Sequence, residues 1–199
     1  MHKEVTSSGD ISTASVVKVA DFNESFNMEG HYVAKCYDKD GNLKWEDTIG
    51  NLVMAVGKQL MLDTLLAGSS YTATVYMGLV GATPTFAAAD TQSSHAGWTE
   101  VGGTNAPAYS GTRKTPTFSA ATSSGSTPSN ITTKTTSAVV TFTFTSGGTV
   151  AGCFININGT SAQDNTTGTL YSAGSFTGGS KTVASTDQLN VTYSTTATS

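Results

Sequence analysis

Hydrophobic and polar residues alternate on both sides of a short polar sequence in the first quarter of the chain. Within residues 30–48, two alternating runs flank DKDGN, where Asp40 and Gly41 favour a tight turn because glycine adopts positive φ without strain. This pattern predicts a β-hairpin. DKDGN also resembles the start of a calcium-binding loop, but such a loop needs a glutamate at its twelfth position, where this chain has Ile49. We therefore interpret DKDGN as a turn.

Alternation with a period of two returns in the second half of the chain. In residues 137–145, Ala138, Val140, Phe142 and Phe144 share one face and threonines cover the other. The SGG sequence that follows predicts a hairpin to the next strand. Short strands separated by Gly- and Ser-rich turns predict a mainly β protein, an antiparallel β-sandwich of jelly-roll or immunoglobulin-like type. The predicted strands are 74–80, two short ones within 106–120, then 137–145, 149–157, 168–176 and 187–195, the last with Leu189, Val191 and Tyr193 at alternate positions.

One segment departs from the strand pattern. Residues 51–67, NLVMAVGKQLMLDTLLA, place apolar side chains on a wide face and leave a narrow polar stripe that includes Lys58 and Asp63. This predicts an α-helix near residues 51–67, with Asn51 as its N-terminal cap and Gly68 at its end. Because the apolar face is wide, we expect a buried helix that plugs the sandwich.

The first 28 residues differ from the rest of the chain. Residues 1–28 are polar and largely aperiodic, and Phe22, Phe26 and Met28 are spaced through them as apolar anchors. Such a segment is either a floppy terminus, as expected in an isolated enzyme, or an arm laid on a neighbour, as expected in an assembly protein. We predict an extended N-terminal arm over 1–28 and a single β-sandwich domain over 29–199. The loop GSTPSN (125–130) lies too close to strands to be a linker.

Composition and charge exclude several classes of partner. Charged residues make up 12% of the 199 residues and the formal net charge is −4, whereas binding to nucleic acid needs a basic face. The first ten residues contain no apolar core of a secretory signal, and the most apolar stretch, 49–67, is too short to span a bilayer. We therefore expect a soluble protein made in a cytoplasm, with neither a nucleic acid nor a membrane as partner.

Cofactor chemistry has little support in the sequence. Cys36 and Cys153 each lie in a strand-like run, so we predict two buried free thiols in a protein of cytoplasmic origin. No His or Cys has the spacing of metal ligands, and neither a P-loop nor a dinucleotide fingerprint is present. We expect no metal and no cofactor.

The segment DTQSSHAGWTE (90–100) carries the densest set of reactive residue types. Ser93 or Ser94 with His95 and Asp90 has the composition of a catalytic triad, but adjacent serine and histidine residues of one loop seldom face each other. A nucleophile-elbow sequence is missing, and no pair of carboxylates stands out as in a glycosidase. We therefore predict no catalytic residues and no enzyme activity.

A structural interpretation accounts for more of this segment. Residues 81–98 form a long loop between strands, and long ordered loops either carry function or pack on their own side chains. Phe86 and Trp98 are the expected apolar anchors. The polar side chains would bond backbone groups that the loop otherwise leaves unpaired.

Several segments together resemble a loosely defined group of tailed-bacteriophage structural proteins. GNLKWEDTIGNLVMAVGKQLMLD, YMGLVG, ADTQSSHAGWTEV and YSGTRKTPTFSA are similar to that group's helix, its "GL" strand and its "DT..sHaGWtE" block with a following Tyr and Arg. A later "v.G.fi" strand and a "gtLys.g.F" segment extend the similarity over about residues 40–195. The N-terminal arm is not matched.

The resemblance implies a capsid decoration (cement) protein on the virion surface, which stabilises the assembled head. Its expected partners are the major capsid protein and further copies of itself, as a dimer or trimer. The expected partner-binding residues are Phe22, Phe26, Met28, Trp98 and Tyr109.

Two alternatives stay open at this point. The first is a head-fibre or tail-fibre module that binds host surface glycans, with Tyr71, Trp98 and Tyr109 as platforms on which sugars stack. The second is a glycan hydrolase that depends on His95 or Glu100.

Overall fold

Antiparallel β-strands dominate the structure, a computed structural model that describes residues 27–66, 71–124 and 131–198. One helix accompanies them in this part of the chain. The prediction of a mainly β protein with a single helix is therefore confirmed. The elements are β1 (Asn27–Tyr37), β2 (Leu43–Val53), α1 (Ala55–Leu66), β3 (Val75–Val80), β4 (Glu100–Val101), β5 (Thr122–Ser124), β6 (Ile131–Thr135), β7 (Val140–Thr143), β8 (Gly148–Val150), β9 (Gly152–Ile157), β10 (Thr169–Ser175), β11 (Lys181–Val183) and β12 (Gln188–Thr198).

The predicted hairpin is formed by β1 and β2, which pair antiparallel. At its turn, the Asp38 side-chain Oδ1 accepts hydrogen bonds from the backbone N–H groups of Asp40 at 2.9 Å and Asn42 at 2.8 Å. Gly41 has a φ of 83°, a value that glycine adopts without strain. DKDGN is therefore a turn, as predicted. Because β1 starts at Asn27, Met28 belongs to the sandwich and not to an arm.

Two sheets face each other and share β2. In the first sheet β2 pairs with β1, β1 with β12, and β12 with both β6 and β7, while β5 pairs with β6 at the edge. The last residues of β2, Leu52 and Val53, pair instead with β10, which continues through β9 and β3 to β4. β2 thus joins the two sheets at a corner. β8 and β11 form a separate two-stranded sheet.

The main hydrophobic core lies between the inner faces of these sheets. Tyr32 and Cys36 of β1 belong to the same buried cluster as Met77 and Leu79 of β3. The predicted inner faces of β7 and β12 are confirmed, except that Ala138 is exposed. Together these contacts define an antiparallel β-sandwich. The buried residues of those two strands and their flanks are Val140, Phe142, Phe144, Leu189, Val191 and Tyr193.

A second, smaller cluster covers the outer face of the second sheet. Phe154 of β9 and Leu170 of β10 pack there against Met54 and Trp98. The second sheet is therefore buried on both faces. This explains why β9 is buried along nearly its whole length and lacks a strict alternation of exposure.

Both thiols are buried and free, as predicted. Burial, with the nearby charge of Asp187 as a lesser cause, raises the pKa of the Cys36 thiol to about 11. Burial likewise raises the pKa of Cys153. Both groups are therefore neutral thiols at neutral pH.

Three strand predictions need correction. The predicted strand 149–157 is interrupted at Ala151, because β8 pairs with β11 whereas β9 pairs with β10 and β3. For the same reason the SGG sequence does not close a hairpin. Residues 106–120 form only isolated bridges, such as Tyr109 with Phe144 and Phe118 with Thr136. The predicted loop 125–130 lies outside the described residues.

The predicted start of the helix is wrong, because residues 51–53 belong to β2. The Asn51 side-chain Nδ2 donates to the Tyr193 hydroxyl at 3.2 Å and does not cap α1. The backbone N–H of Ala55 donates to the carbonyl of Ala88 at 2.9 Å, so a backbone group of the 81–98 loop caps the helix. The predicted helix end, Gly68, lies outside the described residues.

The expectation of a buried helix is also wrong. Gly57 is the only buried residue of α1, and the face around it packs against β10. The sheets already bury the centre of the sandwich, so α1 covers its margin with one face. No helix in residues 27–66, 71–124 and 131–198 is long and apolar enough to cross a membrane.

Candidate functional site

The 81–98 loop is packed on its own side chains, as its sequence predicted. Trp98 Nε1 donates to Asp90 Oδ2 at 3.1 Å, and the same carboxylate oxygen accepts from the backbone N–H of Ala87 at 3.1 Å. The His95 ring stacks on the Trp98 ring with 3.9 Å between centroids. Phe86 also packs against Trp98, with 5.9 Å between the ring centroids. The loop's aromatic and acidic side chains therefore hold it together.

The residues of the supposed triad are not joined. Ser93 Oγ lies 3.2 Å from Thr91 Oγ1, and the backbone N–H of Ser94 donates to that same hydroxyl at 3.0 Å. His95 Nδ1 lies 3.1 Å from the Trp98 carbonyl oxygen. Asp90 bonds Trp98, as described above. Each group thus supports the loop.

A buried ion pair lies directly behind this loop. Arg113 donates to Glu100 through two hydrogen bonds, Nε to Oε1 at 2.8 Å and Nη2 to Oε2 at 2.6 Å. The guanidinium also donates to the carbonyls of Thr160 and Asn165 and lies over the Phe154 ring at 5.4 Å. The pair therefore connects β4, the segment around Arg113 and the loop after β9. Its bidentate geometry satisfies both buried charges.

A small cleft of about 210 Å³ opens between this pair and the loop. Its two carboxylates are already engaged: Glu100 with Arg113, and Asp164 with the backbone N–H of Thr104 at 2.6 Å. In the part of the chain that the structure describes, no three His, Cys, Asp or Glu side chains converge as metal ligands. The two carboxylates of the cleft are therefore engaged in contacts within the fold.

The expected partner-binding residues are widely separated. Phe22 and Phe26 lie outside the described residues, and Met28 is half-buried. Trp98 and Tyr109 are each only 4% exposed. Trp98 packs within the outer core cluster, and Tyr109 packs edge-on against Phe142 at 5.1 Å. Both rings therefore serve the core and leave no free face for a partner.

Sequence analysis missed the most prominent exposed apolar feature among the described residues, the outer face of α1. Leu62, Leu65 and Leu66 are 59%, 78% and 80% exposed. They stand three and four residues apart, so they are neighbours on one side of the helix. The sequence contained these leucines, but the wide apolar face of the predicted helix was assigned as a whole to the core.

The second missed feature is an apolar cavity of about 420 Å³ at one end of the sandwich. It lies between the two sheets, and Met61 of α1 lines it at the helix side. Met28 and Met61 also line an adjoining recess of about 230 Å³, which reaches Leu62 on the exposed face of α1. Most of the other cavity walls are apolar, including Val75, Phe118, Ile155, Ile157 and Tyr171.

These features define the class of the protein: an antiparallel β-sandwich with an exposed apolar helix and an apolar end cavity. Comparison with known proteins adds no family to this description. No protein-family model matches the chain, and neither the curated proteins nor the solved structures contain a significant match.

Proposed function

We propose that this chain is a non-enzymatic structural component of a bacteriophage particle, a decoration protein that stabilises the capsid by binding its major subunit. The observation that carries the proposal is the outer face of α1, with Leu62, Leu65 and Leu66 exposed side by side. The resemblance of residues 40–195 to tailed-phage structural proteins is the reason for proposing a phage capsid as the binding partner.

The outer face of α1 has the composition of a protein–protein contact. Full burial of one leucine side chain contributes about 1.5–3 kcal/mol, so three adjacent leucines form a compact anchor. The exposed polar residues of the same helix, Lys58, Gln59 and Asp63, border that anchor. An apolar centre with a polar rim is the usual anatomy of an interface.

A particle surface favours this mode of binding. The target subunit is repeated many times on a capsid, and copies that also contact each other bind with an affinity greater than that of a single site. A modest apolar anchor on each copy is then sufficient. A rigid sandwich suits the role because it loses little conformational freedom on docking.

The proposal is tested by replacing two of the leucines with Gln and counting the copies retained. Purified heads of the phage that encodes the chain would be incubated with wild-type protein or with the Leu65→Gln, Leu66→Gln variant, then sedimented. We expect the variant to lose at least tenfold in affinity, because each lost leucine contact exceeds the ~1.4 kcal/mol that equals a factor of ten.

A matched control is Leu43→Gln. Leu43 is 52% exposed, but it starts β2 at the opposite end of that strand from α1. This variant should sediment with heads as wild type does. Equal retention of the α1 variant and wild type would refute the proposed contact. Quantifying the chain in intact virions adds an independent check, since a decoration protein is present in hundreds of copies and a fibre in far fewer.

No observation favours the two alternative functions. Of the three rings considered as sugar platforms, Trp98 and Tyr109 are in the core. The third, Tyr71, is partly exposed, and its hydroxyl accepts a hydrogen bond from Asn158 at 2.7 Å. For hydrolysis, the carboxylate of Glu100 is held by Arg113.

A further inference from the structure

The apolar cavity at the end of the sandwich, here called the end cavity, has the size and walls of a small-molecule site. Its volume is about 420 Å³. Ligand sites in proteins typically measure about 300–1,000 Å³ and have mainly apolar walls. An apolar cavity of about 150 Å³ holds the six carbons of benzene, so the end cavity has room for a chain of up to roughly sixteen carbons. Its size therefore suits a long apolar molecule.

The end cavity runs from the core to the surface. Ile155 and Tyr193 line it and are each 1% exposed, whereas Tyr71, which also lines it, is 44% exposed. Lys134 of β6 lines the same cavity and is exposed as well. A ligand can therefore place one end among buried side chains and keep its other end in water. This gradient of exposure favours a linear molecule with one apolar and one polar end.

The charge at the mouth of the end cavity is positive. Among the described residues that line it, Lys134 alone carries a formal charge. The Lys134 ammonium lies 6.0 Å from the ring centroid of Phe118, another lining residue, and donates to the carbonyl oxygen of Ser119 at 3.0 Å. An ammonium has three N–H donors, so it can bind an anionic group in addition to this carbonyl. The polar end of the ligand is therefore expected to be an anion.

We propose that the end cavity binds a fatty acid, whose acyl chain lies against the apolar walls and whose carboxylate bonds Lys134. Burial of the chain contributes most of the affinity, since each methylene removed from water strengthens binding by about a factor of four. The carboxylate fixes the orientation of the chain and favours an acid over the corresponding alcohol. The inference does not rest on the proposed capsid contact, because Leu62, Leu65 and Leu66 do not line this cavity.

Isothermal titration calorimetry of the full-length protein at neutral pH tests the proposal, with decanoate and its uncharged counterpart decanol as probes. We expect saturable binding of decanoate below the concentration at which it forms micelles. Lys134→Gln should weaken binding of decanoate by about threefold to fivefold, as expected for an accessible ion pair, and leave binding of decanol unchanged. The control is Lys39→Gln in the exposed turn between β1 and β2, which should change neither. Equal weakening of both probes by Lys134→Gln would overturn the role of Lys134.

Two variants of β12 test whether the acyl chain enters the cavity. Ala197 lines the cavity, whereas the side chain of its neighbour Thr196 lies on the opposite face of the strand. Ala197→Phe fills part of the cavity, so it should weaken binding of both probes at least tenfold. Thr196→Phe adds the same ring on the other face and should bind as wild type does. Equal binding by the two variants would place the ligand elsewhere and overturn the proposal.

Isoleucine methyl NMR of the wild type locates the ligand even if Ala197→Phe fails to fold. Ile155 and Ile157 line the cavity, whereas Ile49 is buried elsewhere in the core. Saturation with decanoate should shift the methyl resonances of the first two and leave that of Ile49 in place. A protein segment as the occupant would exclude the fatty acid. Absence of saturable binding to the wild type, or unchanged resonances of Ile155 and Ile157 at saturation, would therefore overturn the proposal.

Discussion

At the scale of single residues, the Glu100–Arg113 pair links parts of the chain that are distant in sequence. Both side chains are almost fully buried, and Glu100 also accepts a hydrogen bond from the backbone N–H of Asp164 at 3.0 Å. A buried ion pair is costly to desolvate, and its value lies in holding the surrounding segments in one arrangement. Removal of one partner leaves the other as an uncompensated charge in the interior.

We expect Glu100→Gln to lower the free energy of unfolding by about 3–5 kcal/mol, because Arg113 would remain buried and charged without its counter-ion. Urea denaturation measures this change. The control is Asp40→Asn, which breaks the exposed pair with Lys39. That variant should lose less than about 1 kcal/mol, as is typical of surface pairs. Similar losses in the two variants would contradict this account.

The Cys36 thiol makes stability sensitive to alkaline pH. Burial, and secondarily the charge of Asp187, raises its pKa from 9.0 to about 11 in the folded protein. The folded thiol therefore keeps its proton in a range where the unfolded chain has lost it. By linkage, its contribution to stability is fully present below pH 9 and is lost as the pH rises from 9 to about 11.

We therefore expect the free energy of unfolding of the wild type to fall more steeply between pH 9 and 11 than that of Cys36→Ala. Urea unfolding curves recorded at several pH values across this range measure the two slopes. The alanine variant also loses packing, but that loss lowers the free energy of unfolding equally at every pH. It therefore leaves the slope against pH unchanged. Parallel curves would count against the assignment to Cys36.

At the scale of elements, α1 owes its position to one glycine. A Cβ atom on Gly57 would lie 2.6 Å from the carbonyl oxygen of Tyr171 in β10. Only a residue without a side chain allows the helix to approach the strand this closely. The contact accounts for the single buried position of α1 and for the outward orientation of its leucines.

Gly57→Ala should destabilise the protein by about 1–3 kcal/mol, since a carbonyl of the backbone cannot move aside as a flexible side chain does. This occurs although alanine favours a helix over glycine by about 0.8–1 kcal/mol. Thermal or urea unfolding detects the change. Gln59→Ala on the exposed side of α1 is the control and should stay within about 0.5 kcal/mol of wild type. A stabilised Gly57→Ala variant would refute the close contact.

At the scale of the whole molecule, the distribution of apolar side chains separates core from surface. Within the described residues the sandwich buries most of its large apolar residues, whereas the three leucines of α1 are exposed side by side. Large exposed apolar groups that are adjacent mark a contact surface more often than isolated ones do. A surface of this kind contributes to binding and not to folding.

Leu65→Gln with Leu66→Gln should therefore leave the free energy of unfolding within about 0.5 kcal/mol of wild type. The matched comparison is Leu79→Ala in β3, a fully buried position, which should cost about 2–5 kcal/mol. Urea denaturation of the three proteins provides both values. A large loss of stability in the α1 variant would assign its leucines to the core and remove the basis for the contact surface.

Much of the architecture follows from local patterns along the chain. The turn at Asp40–Gly41, the inner faces of β7 and β12 and the self-packing of the 81–98 loop each depend on residues close in sequence. Alternation of side chains and the conformational freedom of glycine act over a few residues only, so a single sequence contains enough information to predict them.

Other features depend on contacts between distant residues, and these only the tertiary structure decided. β2 continues to Val53 because β10 pairs with it there. The helix therefore starts at Ala55 and not at the predicted residue 51. Ala151 separates β8 from β9 because the two strands have different partners. The sequence of α1 shows which residues are apolar, but it does not show which of them other parts of the chain cover. The sequence alone therefore determined the fold class, whereas long-range packing decided which apolar residues remain exposed.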